Sequence, residues 1–427
     1  MLGMRKYLTR ISRDSFLTAI TTNSARCSVY SSVLKILIGR ALNIAVFLEL
    51  SEEQSGGSFK FNKLIYDNLL SRKDELEHKL YFVFNSRNEL GLKPDIALPS
   101  IFQHRISLVN TFIQQLLKFL LRGQRISLQN CQSAFLNKKL SKLEIRAVWS
   151  VNPLASPTNV PFVTTSWDIS HKVTPYFPEI SESGNALAKR DRICKSVFDQ
   201  AFRIIVGTDQ GRNELESVYG VVRERIKVQP LPVEIAKFND IVIRERLKFI
   251  YPANFWTHKN HHVIVHAVNA LRNDADLPIK IIFTGSDRGN LQKIQNLVSR
   301  YELNSQFVFK GFVDSRELES LYRSSNSCIF PSFIGPDNLP PLEALSFGAR
   351  AIVSDIPGAR DQFGEFATYF NPYDPSSLAN QIKTAVHNFD AKSDSPSGLN
   401  DFLLNRSPRV YIKSIMDEFK KLEVLLS

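Results

Sequence analysis

The sequence predicts an α/β protein of two doubly wound, Rossmann-like domains facing a central cleft. Three observations predict it. The chain has 427 residues, more than one hydrophobic core organises, since cores stop growing near ~250–300 residues. It is 43% hydrophobic and 22% charged, enough apolar content for real cores, which excludes a disordered or fibrous chain. Short apolar runs alternate with amphipathic segments, as in a parallel sheet covered by helices on both faces.

The second half shows the pattern most clearly. Leu247–Tyr251 reads as a strand, and Asn260–Leu271 as a helix with Val263, Ile264, Ala267, Val268 and Leu271 on one face. Ile279–Thr284 is a strand ending at Gly285, followed by a helix over Leu291–Tyr301 and a strand at Phe307–Phe309. Asp314 and Glu317 form a capping-box-like start for the next helix. Strands at Cys328–Phe330, Ala351–Val353 and Thr368–Phe370 follow, with helices at Pro341–Phe347 and Pro375–Val386 between and after them.

The first half repeats the scheme more loosely. Asn43–Leu48 is its first strand and leads to Gly56-Gly57 and a helix over Phe61–Leu70. Further strands fall at Lys79–Phe84, Ile145–Trp149, Pro161–Thr165 and Ile204–Val206, and Ile226-Lys-Val228 followed by Pro230 and Pro232 marks the end of this half. The expected division is a basic extension over 1–40, a first Rossmann-like domain over 41–243, a second over 244–404 and a terminal helix over 405–427. That helix keeps one apolar face (Tyr411, Ile412, Ile415, Met416, Phe419, Leu422). It therefore needs a partner, which the domain junction can supply.

Charge and cysteine narrow the setting. The formal net charge is +12, which suggests an anionic partner: nucleic acid, a membrane surface or a phosphorylated small molecule. Arg5, Lys6, Arg10, Arg13, Arg26, Lys35 and Arg40 stand against Asp14 alone, so half of the excess lies in the first 40 residues. Three readings of that segment stay open: an organelle transit peptide, a lipid-facing basic segment, or an ordinary extension. No apolar run reaches the ~20 residues of a membrane span. The longest, Phe112–Leu121, is broken by polar residues. The cysteines at 27, 131, 194 and 328 form no CxxC pair, which fits a reducing compartment. The expected location is cytoplasmic, in solution or peripheral on the inner face of the membrane.

In doubly wound sheets, ligands bind beyond the carboxyl ends of the strands. The richest segment in such a place is Phe330-Pro-Ser-Phe-Ile-Gly-Pro-Asp-Asn-Leu-Pro-Pro-Leu-Glu-Ala-Leu345. Pro340 and Pro341 suit a helix start, where N–H groups are unpaired anyway. The N–H groups of Asn338, Leu339 and Leu342 are then candidates for an anion site aided by the helix dipole. Glu343 lies one turn in, where a carboxylate can accept hydrogen bonds from a ribose diol but would repel phosphate. A Pro-rich turn with a favourable first-turn acid is the alternative. Gly56-Gly57, after the first strand, allows close backbone approach or marks a flexible turn. Asp274-Ala-Asp276 lies between a helix and the following strand, the wrong end of the sheet for a metal in the cleft. His258, His261, His262 and His266 cluster without further ligands, so no metal is expected.

Taken together, Tyr251-Pro-Ala-Asn-Phe-Trp-Thr-His-Lys-Asn260, Phe283-Thr-Gly285, Phe309-Lys-Gly-Phe-Val313 and the 330–345 loop resemble the retaining GT-B glycosyltransferases of family 4. The resemblance covers Leu247 to about Ala385. It is weaker in Thr164–His171, Tyr176–Glu179 and Val206–Asp209. It implies a metal-independent hexosyltransferase taking a nucleoside diphosphate sugar and needing no cofactor. Lys259 matches the lysine on the donor diphosphate, and Glu343 the second glutamate of the E-x7-E motif, which holds the ribose. Phe312 and Val313 match the segment holding the base. Asn254 falls where many members carry a second basic residue. Gly285, Asp337, Asn338, Leu339 and Pro340 complete the donor side, and Gly56-Gly57 faces the acceptor. Two departures stand out. Gly335 replaces the first glutamate, with Asp337 the nearest acid, and Trp167-Asp168 replaces His-Asp, with His171 three residues beyond Asp168. Asp168 and His171 are the candidates for the acceptor and sugar side.

The resulting expectation is sugar transfer to a glycan or lipid-linked hydroxyl in polysaccharide or glycolipid assembly. An anionic membrane surface is a further candidate partner. A homologue that binds the nucleotide sugar without transferring it is the alternative, motivated by Gly335. Nucleic acid is not expected as a partner, because no nucleic-acid-binding motif accompanies the charge.

Overall fold

The structure, a computed structural model, describes residues 41–50, 57–85, 92–98, 136–152, 158–181, 184–236, 244–272, 277–335, 337–389 and 396–426. The basic segment 1–40, the Phe112–Leu121 run, Cys27, Cys131, Gly56 and the Asp274–Asp276 motif lie outside these residues.

Two parallel sheets are present. The first contains β1 (Asn43–Phe47), β2 (Lys79–Asn85), β3 (Ile96–Leu98), β4 (Ala147–Ser150), β5 (Phe162–Thr165), β6 (Arg203–Val206) and β7 (Ile226–Val228), in the order β3-β2-β1-β4-β5-β6-β7. The second contains β8 (Glu245–Pro252), β9 (Lys280–Thr284), β10 (Phe307–Phe309), β11 (Ser325–Phe330), β12 (Arg350–Ser354) and β13 (Ala367–Phe370), in the order β10-β9-β8-β11-β12-β13. Both orders reverse direction beside their first strand, between β1 and β4 and between β8 and β11. Each reversal opens a crevice where a ligand can enter beyond the strand ends.

The strands form where the sequence is apolar throughout, because both sheet faces are covered. Ala45, Ile250, Phe283, Ile329 and Ile352 are all buried. In the first domain, α1 (Gly57–Leu70) follows β1, and α2 (Ser170–Val173), α3 (Pro178–Ser181) and α4 (Gly184–Gln200) follow β5. Helix α5 (Asp209–Tyr219) starts where the Thr208 hydroxyl accepts the Gly211 N–H and ends at Gly220, whose φ of +65° suits glycine. In the second domain, α6 (His261–Leu271), α7 (Leu291–Arg300), α8 (Ser315–Ser324), α9 (Leu339–Ser346), α10 (Ala359–Phe363) and α11 (Pro375–His387) cover the sheet. The Asp314 side chain accepts the Glu317 N–H and caps α8. Only half of a capping box forms, because the Glu317 carboxylate pairs with Lys310 at 2.5 Å.

The chain ends in α12 (Leu399–Leu404) and α13 (Pro408–Leu426). Leu399 and Leu403 belong to the second domain's core, whereas Tyr411, Ile412, Ile415, Met416, Phe419 and Leu422 pack with Ile44, Val46, Phe82 and Trp149 of the first. Each such buried side chain contributes about 1.5–3 kcal/mol relative to exposure. Glu418, on the same helix, is buried and meets Arg203 at 2.8 Å, Lys227 at 2.9 Å and Lys421 at 2.8 Å.

Candidate active site

A cleft of about 540 Å³ lies between the two sheets and is lined from both domains. Its walls come from the segments that follow β1, β5, β8, β9, β10 and β11, together with Lys60 and Phe61 of α1 and Tyr322 of α8.

Lys259 is set by a tight turn. Thr257–Lys259 forms one 3-10 turn, and Asn260, at φ +54°, reverses the chain into α6. Asparagine tolerates that left-handed conformation better than most residues. The buried Asn260 amide donates to Pro372 O at 2.9 Å, and Tyr251 Oη donates to Lys259 O at 2.6 Å. The Lys259 ammonium then lies 5.0 Å from the centre of the Phe330 ring. Burial pushes its pKa down to about 8, against the pull of Asp168 and Glu179. A lysine held this way gains from an arriving diphosphate, which restores its preference for the charged form.

Glu343 enters from α9. Its Oε2 accepts from the buried Tyr322 hydroxyl at 2.9 Å. Lys60 Nζ, across the cleft on α1, stands 3.8 Å from the same oxygen.

The loop between β11 and α9 is held by its own side chains. Gly335 has φ +113°, and a Cβ there would come within 2.9 Å of Asn338 Oδ1. This explains its replacement of the expected glutamate: a side chain is strained in this backbone conformation. Asn338 Nδ2 donates to Gly335 O at 2.7 Å. The Asn338 N–H, expected to face an anion, instead donates to Gln362 Oε1 at 2.9 Å, and Gln362 Nε2 donates to Asn338 O at 3.1 Å. Leu342 stands fourth in α9, so the helical i→i−4 pattern turns its N–H to Asn338 O. Pro340 and Pro341 carry no N–H. The helix start therefore offers an anion only the Leu339 N–H, a thinner site than the sequence suggests.

Asp337 points toward the other domain. It takes a hydrogen bond from the Gly207 backbone, and a Cβ on Gly207 would overlap its carboxylate. Burial raises its pKa to about 7, although the Gly207 hydrogen bond and Arg406 pull the other way. A second bridge between the domains joins Glu179 and His258. Glu179 Oε1 accepts the His258 N–H at 2.8 Å and lies 2.5 Å from Nδ1. Burial raises the Glu179 pKa, but these bonds overcome it and keep the carboxylate ionised below the usual range. His258 itself is pushed down to about 4 by burial and by Lys259.

The remaining candidates divide. Asp168 lines the cleft. Burial raises its pKa, but Arg190 at 2.8 Å and the Ser170 N–H and hydroxyl more than offset that, so it is held ionised. His171 does not line the cleft. Helix α2 turns it into the first domain, where Nε2 meets the Tyr219 hydroxyl at 2.8 Å and Tyr219 donates to Asp191 at 2.9 Å. Burial and Arg190 lower its pKa. Asn254 lines the cleft, yet its Oδ1 accepts the Ser286 N–H at 2.8 Å, so the side chain anchors the loop after β9. Gly285, at φ +124°, lets that loop pack on Ala253 and Asn254, where a Cβ would clash with backbone. Phe312, Val313, Leu339 and Pro340 line the cleft, with Phe312 partly exposed. Gly57 also lines it and starts α1, and the space beside it is open. Lys60, Glu179, Gly207 and Gln362 were not identified from the sequence as members of this site. Among the described residues, no group of three or more His, Cys, Asp or Glu is arranged as for a metal. His261 is buried and stacks on Phe255 at 4.3 Å.

Residues 234–394 match the family described as "Glycosyl transferases group 1". The O-antigen chain mannosyltransferase RfbU of Salmonella typhimurium is 26% identical over 210 residues, 49% of this chain and 55% of that protein. The chain thus spans about half the length of this curated relative. Sucrose-phosphate synthase from Thermosynechococcus elongatus superposes with a TM-score of 0.65 at 15% identity, covering 89% of this chain and 99% of that one. The Anabaena protein Alr3699/HepE, solved in complex with UDP and glucose, superposes at 0.61 with 13% identity, covering 89% and 100%. The chain has the two-domain GT-B fold, and its residues 234–394 match the group 1 glycosyl transferases.

Proposed function

We propose that this protein is a retaining hexosyltransferase. It would move a sugar from a nucleoside diphosphate donor to a hydroxyl of a glycan or lipid-linked acceptor, in polysaccharide or glycolipid assembly. The observation that carries the reading is the joint presence of Lys259 and Glu343 on one cleft wall, beyond strand ends of the domain that matches the group 1 glycosyl transferases. Mannose is the first sugar to test, because the relatives from Salmonella typhimurium and Escherichia coli are named mannosyltransferases. The acceptor side is the wall bearing Asp168, with the basic first 40 residues as a candidate contact to an anionic membrane surface. No helix among the described residues is long and apolar enough to cross a membrane.

In this mechanism Glu343 holds the ribose and Phe312–Val313 the base. The bond between the anomeric carbon and the diphosphate oxygen breaks, and its electron pair leaves on the diphosphate. The acceptor oxygen bonds to the same face of that carbon, and its proton passes to the departing diphosphate. Lys259 and the Leu339 N–H meet the charge as it builds, so they bind the transition state more strongly than the ground state. No metal or cofactor is assigned to this step.

The test is a thermal-shift screen against UDP-, GDP- and ADP-sugars, with product analysis for each hit. Lys259→Ala and Glu343→Ala are each expected to lower transfer by on the order of a hundredfold or more. Near-normal turnover in both would overturn the assignment. Gly335 favours a second reading, a binding protein without transfer; donor binding with neither transfer nor donor hydrolysis would select it.

A further inference from the structure

We propose that Lys60, on the first domain, is the second cation for the donor diphosphate. This rests on the nucleotide-sugar reading above and adds a residue to it.

Lys259 supplies a single positive charge to the cleft, fewer than the negative charges a diphosphate carries. Asn254 brings no charge and has its oxygen committed to Ser286. Arg190, also in the cleft, is occupied by Asp168 at 2.8 Å. Lys60 is differently placed. It sits in the first turn and a half of α1, lines the cleft, and its side chain is 39% exposed. Its Nζ is 3.8 Å from Glu343 Oε2, near enough for attraction but too far for a hydrogen bond. The three ammonium donors are therefore not spent on that carboxylate.

Its position relative to Glu343 identifies the ligand atoms. A nucleotide whose ribose diol is held by Glu343 carries its first phosphate one sugar ring away. That lies within the sweep of a flexible four-carbon lysine stem. When the diol takes the carboxylate, Lys60 loses its present attraction and swings to the diphosphate. The two cations then grip the anion from opposite domains, Lys259 from the second and Lys60 from the first. Donor binding in this arrangement draws the two walls together.

The experiment compares nucleoside diphosphates with the matching nucleosides. Affinities for UDP, GDP and ADP, and for uridine, guanosine and adenosine, are measured by calorimetry on wild type, Lys60→Met, Lys60→Arg and Lys259→Met. For the diphosphate that wild type binds, Lys60→Met should lose on the order of tenfold, the scale of one charge-assisted hydrogen bond. Nucleoside affinity should be unchanged, and Lys60→Arg should keep most of the wild-type value. Equal losses for nucleoside and diphosphate, or no loss for either, would overturn the proposal while leaving the donor site intact. If wild type binds no diphosphate and Lys259→Met changes nothing, the nucleotide-sugar reading itself fails and takes the proposal with it.

Discussion

The Gln362 side-chain amide pairs with the peptide unit of Asn338, receiving its N–H at 2.9 Å and donating to its carbonyl at 3.1 Å. Both residues are buried. Arg406, from the segment joining α12 to α13, donates to Gln362 O at 2.9 Å and so holds the same residue from behind. Gln362→Leu would leave the buried Asn338 N–H unpaired, at about 1–3 kcal/mol. Donor KM should rise about tenfold or more, because the loop carrying Leu339 loses its support. Steady-state kinetics on a folded variant would check this, and an unchanged donor KM would refute it.

Donor binding should weaken as pH rises through about 8. Below that value Lys259 is charged before the donor arrives; above it, the free protein must take up a proton to bind. Diphosphate affinity should therefore fall with rising pH above about 8, approaching tenfold per unit. Calorimetry in buffers of different ionisation enthalpy should show proton uptake on binding, and Lys259→Met should abolish it.

Asp337 is costly as a carboxylate. Its folded pKa is raised to about 7, so its contribution to stability is fully present below the unfolded value near 4 and is lost as pH rises through 7. Asp337→Asn keeps an acceptor for the Gly207 N–H without the charge. At pH 8 it should raise stability by about 1–3 kcal/mol, read as a higher denaturant midpoint, and flatten the dependence between about pH 4 and 7. Transfer should fall in the same variant if the carboxylate serves the sugar. Gly207→Ala should also lower transfer, by displacing this side chain.

Restoring the glutamate at position 335 should harm rather than help. The φ of +113° strains any side chain, and the new Cβ would press on Asn338. The expected cost is about 1–3 kcal/mol, with lower transfer. A Gly335→Glu variant with improved turnover would show that the loop bends differently when occupied.

Glu418→Ala should be one of the most destabilising changes outside the cleft. It leaves Arg203 and Lys227 facing a buried vacancy and loosens α13, at about 3 kcal/mol. The wild-type carboxylate is held below its usual pKa: burial raises it, but Lys421, Lys227 and Arg203 outweigh that. Its stabilisation is thus present above the unfolded value and lost as pH falls through the folded one. Wild type and variant should converge in stability at acid pH, measured by denaturant unfolding.

The fold was legible because buried parallel strands are apolar on both faces and need no long-range knowledge to recognise. The exceptions are instructive. β11 starts at Ser325, three residues before its apolar run, because its polar side chains are paired inside. Asn326 donates to Arg246 O and Ala385 O, and Ser327 donates to Asn326. β3, a three-residue edge strand, had too little pattern to see. Lys259 and Glu343, picked out by their motifs, both line the cleft. Gln362 and Lys60 were not picked out, since each acts on a partner far along the chain and leaves no local periodicity, and Glu179 lay in a quoted segment without its partner His258 being evident. His171 and Asn254 each hold a protein partner that their residue type does not reveal, Tyr219 for the first and the Ser286 N–H for the second.

The backbone passes between the domains twice, near residue 233 and again near 406, and the Val233 N–H donates to Arg406 O at 2.9 Å where the passages lie side by side. The two halves are thus riveted at one edge. Relative motion should be a swing about that rivet, which opens the far rim of the cleft most. The same arrangement means that cutting the chain near 240 would not yield two self-sufficient pieces. The amino-terminal piece would lack α13 and expose the apolar patch it covers. Co-expressed with the remainder, it should reassemble into an active pair; expressed alone, it should aggregate.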